Sequence, residues 1–177
     1  MENAIFEEKK VSKAYMKLSL PLVLSMTVSL IYNLADTFFV AQTQNTNIVA
    51  GVSLCAPLFT TLMALGNIFG QGGSSLISRL LGKNDTTATR RVSAFCFWGA
   101  ILIGVLMGFI MLLFCTPLLY VIGANEETFN FARDYYTWLA IGAPALVLSF
   151  IHSNLLRSEG MSKESMIGTM GGAIVNI

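Results

Sequence analysis

Charged side chains are scarce in this chain. Only 12% of its 177 residues are Asp, Glu, Lys or Arg, whereas soluble domains carry about 25%. Apolar residues make up 54% of the sequence and occur in long uncharged runs. This combination excludes an ordinary soluble domain and indicates a membrane protein, because the bilayer core accepts apolar side chains and penalises charges.

Histidine and cysteine are also rare, with one and three copies. Metal centres and nucleophilic enzyme sites need such residues at close spacing, and here they lie far apart. We expect Cys55, Cys96 and Cys115 to be small buried side chains rather than parts of a disulfide framework. The sequence therefore gives no support for an enzyme, a structural metal or a resident cofactor.

Basic residues are placed unevenly along the chain. The net charge of +1 lacks the excess that a nucleic-acid partner requires, so membrane lipids are the expected partners. If the N-terminus is cytoplasmic, only Arg133, beside Asp134, falls outside. All other basic residues then fall inside: Lys9, Lys10, Lys13, Lys17, Arg79, Lys83, Arg90, Arg91, Arg157 and Lys163. This asymmetry predicts a multi-pass protein with its N-terminus inside.

Long apolar segments predict an all-α membrane protein, a polytopic helical bundle. A cytoplasmic lead (1–17) is expected before a transmembrane domain (18–177). The helices are expected at about 18–40, 48–81, 90–121, 129–157 and 164–177, the last cut off by the end of the chain. The complete segments exceed the ~9–11 residues of a membrane barrel strand, so helices must satisfy the backbone in lipid.

Prolines mark special positions in three of these segments. We place Pro21 in the first turn of the first helix, where a missing N–H does no harm. Bends are expected at Pro57 and near Pro144.

An acidic residue, Asp36, lies well inside the first segment. A carboxylate in a membrane span costs ~2.5–3.5 kcal/mol on insertion scales, so such residues usually face a bundle interior or a wet cavity. Ser25, Ser29, Tyr32 and Asn33 precede it at helical spacing and form a polar stripe. We expect the carboxylate, with the nearby amide and phenol, to hold a sodium ion or a proton. The alternative is that Asp36 only caps the helix at the outer interface.

Other polar residues are weaker candidates. Asn176 lies ~18 Å along the fifth helix, where it could share a cavity with the first helix or bond to a neighbouring helix. His152 is expected to have a packing or interface role. Arg157 and Glu159 are expected to form an ion pair or to bind lipid headgroups, and Gln71 is a candidate for a hydrogen bond between helices.

Small residues cluster in the later half of the second segment: Gly66, Gly70, Gly72, Gly73 and Ser74. In a membrane, such residues allow another helix backbone to approach closely, and the spacing of Gly66, Gly70 and Ser74 places them on one face. A phosphate-binding loop is excluded because no Gly-Lys-Ser/Thr follows.

Three stretches resemble the multidrug and toxic compound extrusion (MATE) transporters, nearest the bacterial DinF and MepA-like branch. They are Tyr32-Asn33-Leu-Ala-Asp36-Thr37-Phe-Phe-Val, Gly72-Gly73-Ser74-Ser75-Leu-Ile-Ser78-Arg79-Leu-Leu-Gly82, and Leu156-Arg157-Ser-Glu159-Gly160 followed by Gly171-Gly172-Ala-Ile-Val-Asn176-Ile. Their order and spacing match throughout, so the resemblance covers essentially the whole chain. It implies the N-terminal part of a fold with two lobes of six helices each.

The resemblance also implies an activity. MATE proteins of the bacterial cytoplasmic membrane export bulky, often cationic or amphipathic small molecules in exchange for sodium ions or protons, by alternating access. In the family, the acid matching Asp36 is the coupling-ion residue, and Tyr32 and Asn176 match residues near or in the same cation site. In the family, a second acid follows that asparagine by four residues, a position beyond Ile177 here. The resemblance also implies a second lobe, which would be the partner of this part of the transporter.

Two alternatives remain open. A lipid-linked sugar flippase of the wider superfamily would favour a cavity rich in basic residues, whereas the first helix carries Asp36 and no Lys or Arg in its apolar part. A small membrane scaffold that does not transport is compatible with the glycine-rich helix faces.

Overall fold

The computed structural model describes residues 11–176, apart from the side chains of Val11, Ala14 and Asn176. The helices in this range are α1 (Val11–Ala41), α2 (Thr46–Leu54), α3 (Ala56–Gly82), α4 (Thr86–Leu113), α5 (Cys115–Val121), α6 (Phe129–Ser158) and α7 (Ser162–Asn176). Four stretches are long and apolar enough to cross a bilayer: Tyr15–Ala41, Thr46–Gly82, Thr86–Leu113 and Phe129–Ser158. The expected all-α membrane fold is confirmed. Residues 1–10 of the predicted lead and Ile177 lie outside the described residues.

The first helix begins earlier than the apolar pattern predicts. Residues 11–17, expected in the lead, are the first turns of α1, because no glycine or proline interrupts residues 12–20. Pro21 therefore lies in the helix interior and not in the first turn, so that expectation was wrong. Its ring has no N–H for the helical hydrogen bond at that position, which weakens the helix locally.

The expected helix over residues 48–81 is divided between α2 and α3. The division falls at Cys55, and Pro57 is the second residue of α3. Proline is compatible with a first helical turn but not with an interior, which explains why the chain restarts its helix here.

The expected helix over residues 90–121 is likewise divided, between α4 and α5. Phe114 leaves helical geometry with φ −105° and ψ 28°. One turn earlier, the Met111 carbonyl accepts a hydrogen bond of 2.6 Å from the Tyr136 hydroxyl of α6. A side chain of another helix thus satisfies a carbonyl next to the break.

Two helices begin earlier than predicted, each after a residue whose side chain caps the helix. The Asn45 side chain accepts a hydrogen bond from the Asn47 backbone N–H (3.0 Å) at the start of α2. The Asp85 carboxylate accepts one from the Ala88 N–H (2.9 Å) at the start of α4. Such caps satisfy N–H groups that lack an intrahelical partner.

The central helix is α6. It packs most extensively against α3 and α4, and it also contacts α2, α5 and α7. Its buried side chains recur every three or four residues, as one helical face requires: Ala132, Tyr136, Leu139, Ala140, Ala143, Val147, Ile151 and Leu155. By contrast, α1 packs mainly against α7.

Small residues bring α4 into backbone contact with α6. A Cβ atom placed on Gly104 would lie 2.5 Å from the Cα of Pro144, and one on Gly108 would lie 2.6 Å from the Ala140 carbonyl oxygen. Ala100, one turn before Gly104, is fully buried. Such close approach provides the van der Waals contact that holds helices together in lipid.

A second row of glycines faces α6 from α3. A Cβ on Gly66 would lie 3.1 Å from the Phe150 Cβ, and one on Gly70 would lie 2.8 Å from the Asn154 Nδ2. These positions lie four residues apart, on the α3 face that is buried against α6.

The third close approach along α3 is made by Gly73, not Gly72 or Ser74. A Cβ on Gly73 would lie 2.5 Å from the Cys96 Sγ of α4, whereas Gly72 has nothing within 4 Å. The Ser74 hydroxyl donates to the Gln71 carbonyl of its own helix (3.0 Å). The packed face of α3 therefore runs through Gly66, Gly70 and Gly73, as the 3.6-residue helical repeat requires. The expected four-residue spacing that ends at Ser74 moves away from this face.

One end of the bundle is rich in basic residues. At one end α3 finishes, α4 begins, α6 finishes and α7 begins. This end, called the basic end below, carries Arg79, Lys83, Arg90, Arg91, Arg157 and Lys163.

Replacing Gly104 with Ala is expected to destabilise the protein by about 1–3 kcal/mol, because the added methyl group must displace the backbone of Pro144. The measurement is thermal unfolding in detergent. Gly72→Ala is the matched control, since open space surrounds Gly72 and alanine favours a helix by up to about 1 kcal/mol. Equal stability losses in both variants would contradict this account of the α4–α6 contact.

Candidate functional site

A cavity of about 940 Å³ lies between α1, α3, α6 and α7. Pockets for drug-sized molecules range over about 300–1,000 Å³, so this volume suits such a ligand. The cavity exists because α3 and α6 are held together by close packing, while α1 is paired with α7.

The α1 wall of the cavity is the polar stripe seen in the sequence. Ser25, Ser29 and Asn33 line the cavity, together with Met26 and Leu30. Ser25 is only 2% exposed, and the Ser29 hydroxyl donates to the Ser25 carbonyl at 3.0 Å. The stripe thus supplies hydroxyl and amide groups to the cavity.

Asp36 and Tyr32 do not line this cavity. Asp36 is exposed, and it lies three residues beyond Asn33, towards the end of α1. Its carboxylate lies within electrostatic range of Tyr32 and of Tyr135 on α6. The structure therefore separates the acid from the cavity and brings it towards Tyr135, a residue that the sequence did not single out.

The opposite wall carries amide side chains from two helices. Asn67 and Gln71 of α3 and Asn154 of α6 all line the cavity. The Asn154 Nδ2 donates to the Asn67 Oδ1 at 3.3 Å and to the Phe150 carbonyl at 2.9 Å. The signal available in the sequence was Asn67 and Gln71, two amides one helical turn apart in an apolar helix.

At the basic end, hydrogen bonds connect α6 to α7. The Arg157 Nε donates to the Ser165 Oγ at 3.2 Å. The Ser165 hydroxyl in turn donates to the Ser153 carbonyl at 3.3 Å, and Ser165 is 2% exposed. Arg157 and Glu159 were expected to form an ion pair or to bind lipid headgroups. The Arg157 guanidinium bonds to the first turn of α7, and headgroup binding stays a prediction.

The charges that line the cavity are few. Within the described part of the chain, the lining contains one basic residue, Arg157, and one acidic residue, Glu164, with His152 beside them. The described residues contain no group of three or more His, Cys, Asp or Glu side chains that could hold a metal ion. Amides, hydroxyls, methionines and Phe150 make up much of the rest, so the cavity can combine neutral hydrogen bonds with adaptable apolar contacts.

The remaining candidates lie elsewhere or are not described. Asn176 is the last residue of α7, and its side chain lies outside the described part of the structure. Its role stays a prediction. Cys55 and Cys96 are buried and Cys115 is partly buried, all three as free thiols.

These features define a multi-pass helical membrane protein with a drug-sized cavity between its helices, largely apolar but lined by several amide and hydroxyl side chains. The sequence pattern of the MatE family matches residues 21–177. The chain therefore belongs to the MatE family of membrane transporters.

Curated relatives of this chain are multidrug export proteins. It is 35% identical over 173 residues to the multidrug export protein MepA of Staphylococcus saprophyticus, and 34% identical over 172 residues to MepA of Staphylococcus aureus. Each alignment covers 97% of this chain and 38% of the relative. The chain thus spans less than half the length of the curated relatives it matches.

Solved structures show the same fold. An outward-facing multidrug resistance MATE transporter of the MOP superfamily superposes with a TM-score of 0.86 at 30% identity, over 91% of this chain and 36% of that one. A MOP superfamily transporter from Pyrococcus furiosus, described as having a binding pocket of reversed polarity, gives 0.85 at 30% identity, over 91% and 35%.

Replacing Ser165 with Ala is expected to loosen α7 from α6, because it removes the acceptor for Arg157. A bond to a charged group contributes about 1.5–3 kcal/mol, so cleavage by trypsin after the exposed Lys163 should accelerate about tenfold or more. Ser149→Ala is the control, since that exposed hydroxyl bonds only to the Leu146 carbonyl of its own turn. An unchanged cleavage rate in Ser165→Ala would show that the bond does not hold α7.

Proposed function

We propose that this chain forms part of an exporter that moves drug-like molecules across the bacterial cytoplasmic membrane in exchange for sodium ions or protons. The observation that carries the proposal is the drug-sized cavity between α1, α3, α6 and α7 of a MatE-family bundle, which is largely apolar and carries several amide and hydroxyl side chains. The relatives named multidrug export protein support the same activity.

The lining supports amphipathic substrates in particular. Met26, Met63 and Phe150 offer apolar surface, while Asn67 and Asn154 offer neutral donors and acceptors. Flexible methionines adapt to ligands of different shape, as a multidrug site requires. A cationic substrate would be attracted by Glu164 and repelled by Arg157 at the same end of the cavity. A positive charge on the substrate is therefore a weaker requirement than amphipathic character.

Ion coupling is proposed for Asp36. An ionised carboxylate in a membrane span is unfavourable, and either a proton or a sodium ion neutralises it. In this proposal the hydroxyl oxygens of Tyr32 and Tyr135, which lie within electrostatic range of the acid, complete an oxygen-rich site. Since Asn33 lines the cavity one turn away on the same helix, ion binding at Asp36 could change the cavity wall through α1.

Asn176 is proposed as a further part of this system. Thr169 and Gly172 of α7 line the cavity, and position 176 follows them by seven and four residues, the spacing of one helical face. The N-terminus is proposed to face the cytoplasm, because this orientation puts the basic end inside.

The alternatives receive less support. A carrier of lipid-linked sugars would need basic groups for the pyrophosphate, and Arg157 is the one Lys or Arg in the described lining. A scaffold without transport activity would not require a polar cavity. The missing second lobe is proposed as the partner that completes the transport path.

Replacing Asp36 with Asn in the protein produced from the complete reading frame is expected to abolish ion-driven efflux, because the amide cannot bind and release the coupling ion. The measurement is dye efflux from proteoliposomes under a sodium or a proton gradient, and the gradient that drives efflux identifies the ion. Asp134→Asn, an exposed acid of α6, is the matched control. Efflux at the normal rate in Asp36→Asn would remove the acid from the mechanism.

Replacing Asn154 with Ala is expected to weaken substrate binding up to about tenfold while efflux still depends on the same ion gradient, because one hydrogen bond contributes about 1.5 kcal/mol or less. Equilibrium dye binding measures the first effect and proteoliposome efflux the second. Asn130→Ala, on the exposed first turn of α6, is the control. Unaltered dye affinity would place the substrate elsewhere.

A further inference from the structure

A separate groove runs between α4 and α6 at the basic end. Its volume is about 380 Å³, and its two walls are formed by α4 and α6. His152 lines both this groove and the larger cavity, but Arg90, Phe97 and Trp98 line only the groove. Its function is not explained by the transport cavity.

The groove changes from polar to apolar along its length on both walls. On the α4 wall, Arg90 and Ser93 come first, and Phe97 and Trp98 follow one to two turns deeper. On the α6 wall, the antiparallel direction puts Glu159 beside the polar part and Leu148 beside the apolar part. The polar part lies at the basic end, and the apolar part lies towards the middle of the membrane.

Two aromatic side chains are left uncovered in the apolar part. Trp98 is 67% exposed and Phe97 is 40% exposed, and their rings meet edge to face at 5.6 Å. An exposed aromatic surface of this kind in a membrane span suits contact with acyl chains.

The charge around the groove favours a negative headgroup. Arg90 lies in the groove and is exposed, and Arg91 follows it. Arg79 and Lys83 lie on the same end, and these four basic residues outnumber the nearby carboxylates of Asp85 and Glu159. The net positive charge attracts anions. A guanidinium binds phosphate oxygens through two parallel hydrogen bonds, which gives the headgroup a defined position.

We propose that this groove binds one anionic phospholipid, with its phosphate at Arg90 and an acyl chain along Phe97, Trp98 and Leu148. The Glu159 side chain lies on the facing α6 wall, so the phosphate is placed on the α4 side of the groove. The proposal requires only that the protein lies in a membrane, so it stands or falls separately from the transport activity.

The test is a lipid titration of the detergent-purified protein from the complete reading frame, followed by native mass spectrometry. Dioleoyl phosphatidylglycerol is expected to bind about tenfold more tightly than dioleoyl phosphatidylcholine, as one charge-assisted contact predicts. Arg90→Gln should abolish this preference, and Arg90→Lys should restore part of it. Glu159→Gln should leave the preference unchanged or increase it.

Arg79→Gln is the matched control, because it removes the same charge from the same end but lies outside the groove. The preference for phosphatidylglycerol should survive in this variant. If Arg79→Gln and Arg90→Gln lost the preference for phosphatidylglycerol equally, the preference would come from diffuse electrostatic attraction, and the proposal would be overturned. Equal binding of the two lipids, loss of the preference in Glu159→Gln, or competition by inorganic phosphate at the lipid's own concentration would also overturn it.

Discussion

The close approach of α6 to α3 and α4 is the contact on which the rest of the bundle depends. Gly104 and Gly108 bring α4 against the α6 backbone, and Gly66 and Gly70 do the same for α3. Lipid tails are as apolar as the side chains they replace, so helices in a bilayer gain little from burying apolar surface and depend on tight packing. Larger side chains at these positions would separate the helices.

That packed core leaves α1 and α7 as a second unit, and the space between the units is the cavity. One wall is held by glycine contacts and by the hydrogen bond between Asn67 and Asn154. The other wall is attached at the basic end through Arg157 and Ser165. The cavity therefore has one wall fixed by close helix packing and a second wall attached mainly at one end.

The sequence predicted the spans well because apolar length is a property of each segment by itself. Its errors have local causes. Pro21 was placed by the start of the apolar run, but the helix begins earlier because nothing in residues 11–17 stops it. The breaks at Cys55 and Phe114 depend on a nearby proline and on contacts with α6, such as the Tyr136 hydroxyl.

The sequence by itself determined that this is a helical membrane protein, since composition and segment length suffice for that, and the resemblance of three motifs pointed to the MATE family. Tertiary structure decided which polar residues meet. It put Ser25 and Asn33 in the cavity with Asn67 and Asn154, and it left Asp36 outside, near Tyr135. Helical periodicity defines the faces of one helix, but which face meets which neighbour depends on packing between residues far apart in the chain.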